Sequence, residues 1–173
     1  MKLTIVINGA GGVGKDTLCA MAAKHYRVKN ISSITPIKEL AAQCGWQGEK
    51  TDRARKFLAD LKQLTVAYND FPTTYLAEEY RAFLAGDDEI LFVHIREPEE
   101  IAKFVRVTEG AAKTLLIRGG NRLRGKAGHY GNAADDGVEA YPYDYYFTND
   151  RPLDEAEPLF LAALRKIIAE AGV

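Results

Sequence analysis

The stretch Asn8-Gly-Ala-Gly-Gly-Val-Gly-Lys-Asp-Thr17 fits two nucleotide-binding templates at once. Read as Gly9-x-Gly11-x-x-Gly14 it is a dinucleotide fingerprint; read as Gly9-x-x-x-x-Gly14-Lys15 it is a phosphate-binding loop. The flanking residues separate the two. Upstream, Leu3 to Ile7 is a short apolar, β-branched run, as expected of a strand buried on both faces in a parallel sheet. Downstream, Thr17 to Lys24 holds good helix formers and no breaker. The dinucleotide template requires an Asp or Glu closing a second strand about 20 residues after the glycines. That region reads Val28-Lys-Asn-Ile-Ser-Ser33, without an acid. The phosphate template requires Lys15 directly after Gly14, and it is there. The amides of Gly9, Ala10, Gly11, Gly12, Val13 and Gly14 are then positioned to wrap a phosphate chain, with Lys15 neutralising its outer oxygens.

Working outward, Tyr26 to Ile34 is expected as a second strand and Pro36 to Cys44 as a helix with proline in its first turn. Thr51 to Tyr68 repeats apolar residues at helical spacing (Phe57, Leu58, Leu61, Leu64), and Thr73 to Ala85 is a further helix. Glu89 to Arg96 is a clear strand, and Pro98 to Phe104 opens a helix with acids in its first turn. Lys113 to Arg118 and Tyr143 to Thr148 are strands four and five, and Leu153 to Ala171 is a closing amphipathic helix. A long Gly-rich connection, 119–141, separates the last two strands; loops of that length are usually functional or disordered. Strands alternating with helices imply one α/β domain over residues 1–173, with a mainly parallel sheet.

The loop departs from the commonest phosphate-loop ending, because Asp16 and not Ser or Thr follows Lys15. The Gly-Lys-Asp-Thr ending resembles the nucleoside monophosphate kinase group, adenylate kinase-like proteins whose phage-type deoxynucleoside monophosphate kinases place Asp before Thr. Ile34-Thr-Pro-Ile-Lys-Glu-Leu-Ala41 resembles the segment after strand two in the phage-type enzymes. Tyr145 to Asp150 resembles their last strand and the Asn-containing turn against adenine. The resemblance implies a P-loop NTPase fold, a three-layer α/β/α sandwich around a five-stranded parallel sheet, with residues 119–141 as a candidate lid. It implies ATP and Mg2+ as cofactors, Thr17 on the α-phosphate, Asn149 beside the adenine and Lys38 flanking an acceptor pocket. It also places Asp16 beside the metal. A carboxylate suits magnesium as a hard oxygen ligand; the other reading of Asp16 is an acid that favours a helix N-terminus.

An acceptor phosphate needs fixed positive charge. Arg53, Arg55 and Lys56, at the start of the third helix, are candidates, with a solvated helix face as the other reading. Arg96 stands at the carboxyl end of a strand, where ligands of such sheets bind. His94 occupies the position where a strand-end acid is expected; it alternates onto the face of Arg96 and is read either as an acceptor contact or as a packed histidine. Arg122 and Arg124, with Lys126 and His129, lie among glycines in the long connection; in nucleotide kinases a lid there delivers arginines to the transferring phosphoryl group. Asp135 and Asp136 are read as solvated, and Tyr141, Tyr143, Tyr145 and Tyr146 as packing residues.

These residues point to an ATP-dependent phosphotransferase acting on a small phosphorylated acceptor, most simply a nucleoside or deoxynucleoside monophosphate. The alternatives are a kinase for another acceptor, such as phosphomevalonate or dephospho-coenzyme A, and a nucleotide-binding ATPase or switch. Composition narrows the partners: 23 Lys plus Arg against 24 Asp plus Glu in 173 residues give no bulk field toward nucleic acid or an anionic membrane. Cys19 and Cys44 lack metal or disulfide spacing and read as reduced, packed thiols. No apolar run approaches the roughly 20 residues needed to span a bilayer, so the expected location is the cytoplasm.

Overall fold

Five short strands carry the architecture, and their order in space is not their order in sequence. The computed structural model describes residues 1–120 and 137–173. The chain runs β1 (Leu3–Asn8), α1 (Lys15–Ala23), β2 (Val28–Ser32), α2 (Thr35–Gln43), α3 (Asp52–Asn69), α4 (Phe71–Ala85), β3 (Ile90–His94), α5 (Pro98–Val107) and β4 (Lys113–Gly119). A single 3-10 turn, Val138–Ala140, then precedes β5 (Tyr145–Asn149) and α6 (Leu153–Ala171). The sheet order is β2-β3-β1-β4-β5, and every neighbouring pair is parallel.

Each strand presents alternate residues to opposite faces, so the sheet has two cores. Leu3, Ile5 and Ile7 pack with Ile90, Phe92, Leu115 and Ile117 beneath α1 and α6, where Leu18, Phe160 and Leu164 complete the layer. Val6, Leu91, Val93 and Leu116 face the other way, onto Leu76 and Phe83 of α4 and Ile101 and Phe104 of α5. All six residues of β1 are buried, which is why an apolar run without polar alternation folds here as a central strand. Helices on both faces of a five-stranded parallel sheet make the expected three-layer sandwich. Among the described residues no helix is long and apolar enough to cross a membrane.

Three local expectations change. The third strand ends at His94, not Arg96, because the last residues able to pair with it are Ile7 and Ser32, both opposite His94. Beyond that point Ile95 is buried and Arg96 is exposed. Helix α3 does not bury its apolar period: Phe57 is 37% and Leu64 67% exposed, while its buried residues are Ala54 and Lys62. The cause is its position, since α3 packs chiefly against α2 and α4. Both cysteines are free, but only Cys19 is buried; Cys44, just past α2, is exposed. Burial pushes the Cys19 thiol up to about 12, with Asp16 adding to the shift and Lys15 opposing it, so this thiol stays protonated and inert.

Candidate active site

Because all strands run the same way, their carboxyl ends share one edge, and Asn8, Ser32, His94, Gly119 and Asn149 close them. The loop 9–14 leaves β1 at that edge. Gly9 has φ +153°, and a Cβ there would stand 2.5 Å from the Ile117 carbonyl oxygen. Only glycine lets the loop cross β4 so closely. Val13 is buried and plugs the loop into the core. Its carbonyl accepts a hydrogen bond from Asn149 Nδ2 at 2.9 Å, which ties the loop to the end of β5. Gly14, φ +91°, caps α1; a Cβ there would meet the same Asn149 amide at 2.7 Å. No side chain caps α1, so its first turn of amides is directed at the loop mouth with the positive end of the helix dipole. Lys15 Nζ donates to the Gly9 carbonyl at 2.6 Å and to that of Ala10 at 3.2 Å, which places the ammonium over the loop. Asp16 and Thr17 are exposed on the same turn.

On one side of the loop is a cavity of about 310 Å³ between α1 and the start of α6. Gly12, Gly14 and Thr17 line its polar rim, Leu18, Met21 and Ala156 its apolar wall, and Asn149 to Leu153 its far side. Sequence reasoning found Asn149 and Thr17 but not the apolar wall. Its signal was Met21, four residues after Thr17 and three after Leu18, on a helix that opens directly from the loop.

On the other side, the ends of β2 and β3 hold a polar cluster that the sequence did not reveal. Lys62 of α3, only 8% exposed, donates to Ser33 Oγ at 3.1 Å and to both Glu97 oxygens at 3.0 and 2.8 Å. Glu97 occupies the N-cap position of α5, yet its carboxylate makes no cap bond and turns to Lys62 instead. His94 Nε2 lies 3.2 Å from Asn30 Oδ1; the amide oxygen accepts, so this nitrogen carries the proton. Burial holds the imidazole below its ordinary pKa; Asp16 opposes that shift and Lys15 reinforces it. His94 is therefore neutral at pH 7, and packed against Asn30. Arg96 follows, with its carbonyl accepting from Asn8 Nδ2 at 3.1 Å.

The remaining sequence candidates are scattered. Arg53 and Arg55 are exposed in the first turn of α3, two to three turns from Lys62. Lys56 is exposed and ion-paired with Asp60 on the same helix, and Lys38 is exposed on α2. Arg122, Arg124, Lys126, His129, Asp135 and Asp136 lie outside the described residues, and so does all of the candidate lid 119–141 except its two ends, 119–120 and 137–141. Among the described tyrosines, Tyr143 is buried and packs edge-on to Tyr141 and Tyr146. Among the described residues no three His, Cys, Asp or Glu side chains cluster as a metal cage. Magnesium needs none when it keeps its waters and substrate phosphates and takes one or two carboxylates. The exposed carboxylate of Asp16, one residue from Lys15, fits that role.

No protein-family model matches the chain, and no curated protein is significantly similar to it in sequence. Solved structures do resemble it. A gluconokinase from Sinorhizobium meliloti superposes with a TM-score of 0.54 at 17% identity, covering 97% of this chain and 94% of that one. The APS kinase of Mycobacterium tuberculosis, solved with AMPPNP and APS, gives 0.52 at 18% identity over 95% and 98%. The tunicamycin resistance protein of Deinococcus radiodurans gives 0.57 at 12% identity over 95% and 96%. At these identities the likeness is one of fold, and the fold of this chain is the one found in P-loop kinases.

Proposed function

We propose that the chain transfers the γ-phosphoryl group of ATP to a small acceptor, a nucleoside or deoxynucleoside monophosphate. The observation that carries this reading is the glycine loop with Lys15 drawn over its mouth, flanked by a base-sized cavity on one side and the Lys62–Glu97–Ser33 cluster on the other. Three features that suit binding thereby lie at one sheet edge. In this reading the loop amides and Lys15 hold the β- and γ-phosphates, and the wall of Leu18, Met21 and Ala156 takes the adenine beside Asn149. Asp16 holds the magnesium, which when bound supplies charge neutralisation across the phosphates. Arg96 and the lid arginines Arg122 and Arg124 carry the remaining charge, and Arg53, Arg55, Lys56 and Lys38 orient the acceptor. Catalysis is then positional and electrostatic, and an acceptor phosphate, already an anion, needs no general base.

One observation favours a second reading, a kinase whose acceptor is not a nucleotide and offers a hydroxyl. The Lys62 charge is already taken by both Glu97 oxygens, so Lys62 presents a hydrogen-bonding pair and not a lone cation. Gluconokinase and APS kinase share the fold. A coupled assay for ADP with magnesium and ATP separates the readings, run over ribo- and deoxyribonucleoside monophosphates, sugars and sugar acids, phosphomevalonate and dephospho-coenzyme A. Turnover that requires one acceptor and disappears in Lys15→Ala establishes the kinase and its acceptor class. ATP hydrolysis indifferent to every acceptor overturns both readings.

A further inference from the structure

Asn8 is 1% exposed and joins three parts of the strand-end edge. Its Oδ1 accepts from the Gly9 amide at 2.9 Å. Its Nδ2 donates to the Arg96 carbonyl at 3.1 Å and to the Tyr143 hydroxyl at 2.8 Å. The Tyr143 hydroxyl in turn donates to the Val138 carbonyl at 2.7 Å. Only one proton arrangement satisfies all four bonds: the Gly9 amide fixes which end of Asn8 is oxygen, and Val138 takes the sole phenol proton. Tyr143 and Val138 are themselves buried, so no water competes for these groups.

We infer that Tyr143 is a positioning residue, whose hydroxyl holds the Asn8 amide at the angle that fixes Arg96 relative to the first glycine of the loop. The catalytic half of this inference rests on the kinase reading, in which Arg96 faces the transferring phosphoryl group. Without the hydroxyl, one Asn8 N–H is left buried and unpaired, and the amide loses the partner that holds its orientation toward the Arg96 carbonyl. The ring contacts with Tyr141 and Tyr146 remain in Tyr143→Phe, so that variant removes the link and leaves the packing.

The test uses the full chain as wild type, Tyr143→Phe, Asn8→Ala and the double variant, with Asn8→Ser replacing Asn8→Ala should the latter not fold. Hydrogen exchange needs no substrate. In Tyr143→Phe the amides of Gly9 and residues 95–97 should exchange about tenfold faster, while those of β2 and α2 keep their wild-type rates. The double variant should be no faster than Asn8→Ala within about threefold, as expected for two residues of one network. In the kinase assay kcat should fall about tenfold with KM for ATP within about twofold. Uniformly faster exchange, additive effects or an unchanged kcat overturns the proposal in favour of packing alone. A wild type without acceptor-dependent turnover overturns the kinase reading and the catalytic half with it; the exchange result still decides the link between Tyr143 and Arg96.

Discussion

At Lys15 an ammonium rests on two carbonyl oxygens of its own loop, where a phosphate chain would replace neutral acceptors with charged ones. Lys15→Ala should therefore leave the fold intact and lower phosphotransfer by a factor on the order of 10² to 10³, read in the ADP assay. His94 gives a prediction of opposite kind. Burial lowers its pKa in the folded chain below the ordinary 6.5, so above that value both states are neutral and the residue is silent. As pH falls below 6.5 the unfolded chain takes up a proton that the folded chain refuses, and stability drops. In urea titrations at successive pH values, His94→Gln should flatten this acid limb. The legibility of the site follows from distance along the chain. Gly9, Gly14 and Lys15 could be read because the loop's chemistry is local and its spacing fixed. Lys62 could not, since its partners Ser33 and Glu97 are 29 and 35 residues away and meet it only after the sheet has formed.

Among the elements, α3 is the one whose pattern misleads. Its apolar spacing promises a core helix, yet it lies against two other helices, leaves Leu64 and Tyr68 largely and Phe57 partly in solvent and buries a lysine. Periodicity reports which residues share a face; it does not report what covers that face. Lys62→Met tests what the buried lysine contributes. A fully enclosed pair broken on one side costs about 3–5 kcal/mol. Here the Glu97 side chain is 37% exposed, so water recovers part of its solvation and a loss of about 1–3 kcal/mol in urea unfolding is expected. Adding Glu97→Gln, which removes the stranded charge, should restore part of that loss. The strands were easier to read, because apolar runs bounded by glycine, proline or polar residues leave little room for another assignment; their ends shifted where the neighbouring strand stopped pairing, as β3 does after His94.

For the whole molecule, the α/β alternation made the sandwich legible before any contact was known, because parallel strands joined by helices admit few arrangements. The order of the strands was not legible, since no local residue records its neighbour in the sheet. A ligand that binds only this assembled edge stabilises the entire fold. A non-hydrolysable ATP analogue with magnesium at 100 times its Kd should add about 2.7 kcal/mol, a rise of roughly 5–10 °C in Tm for a chain of this size. Lys15→Ala should abolish that rise in the same melting experiment. The placement of β1 has a temporal consequence as well. Leu3 pairs with Ile90 and Ile5 with Lys113, so β1 has no neighbour until β3 is made and lacks its second until β4 is made. Such non-local pairing makes for slow folding and a high contact order. The glycine loop hangs from that strand and lies against Ile117 of β4, so a nascent chain that ends before β4 carries the loop in its sequence without the strand it packs on.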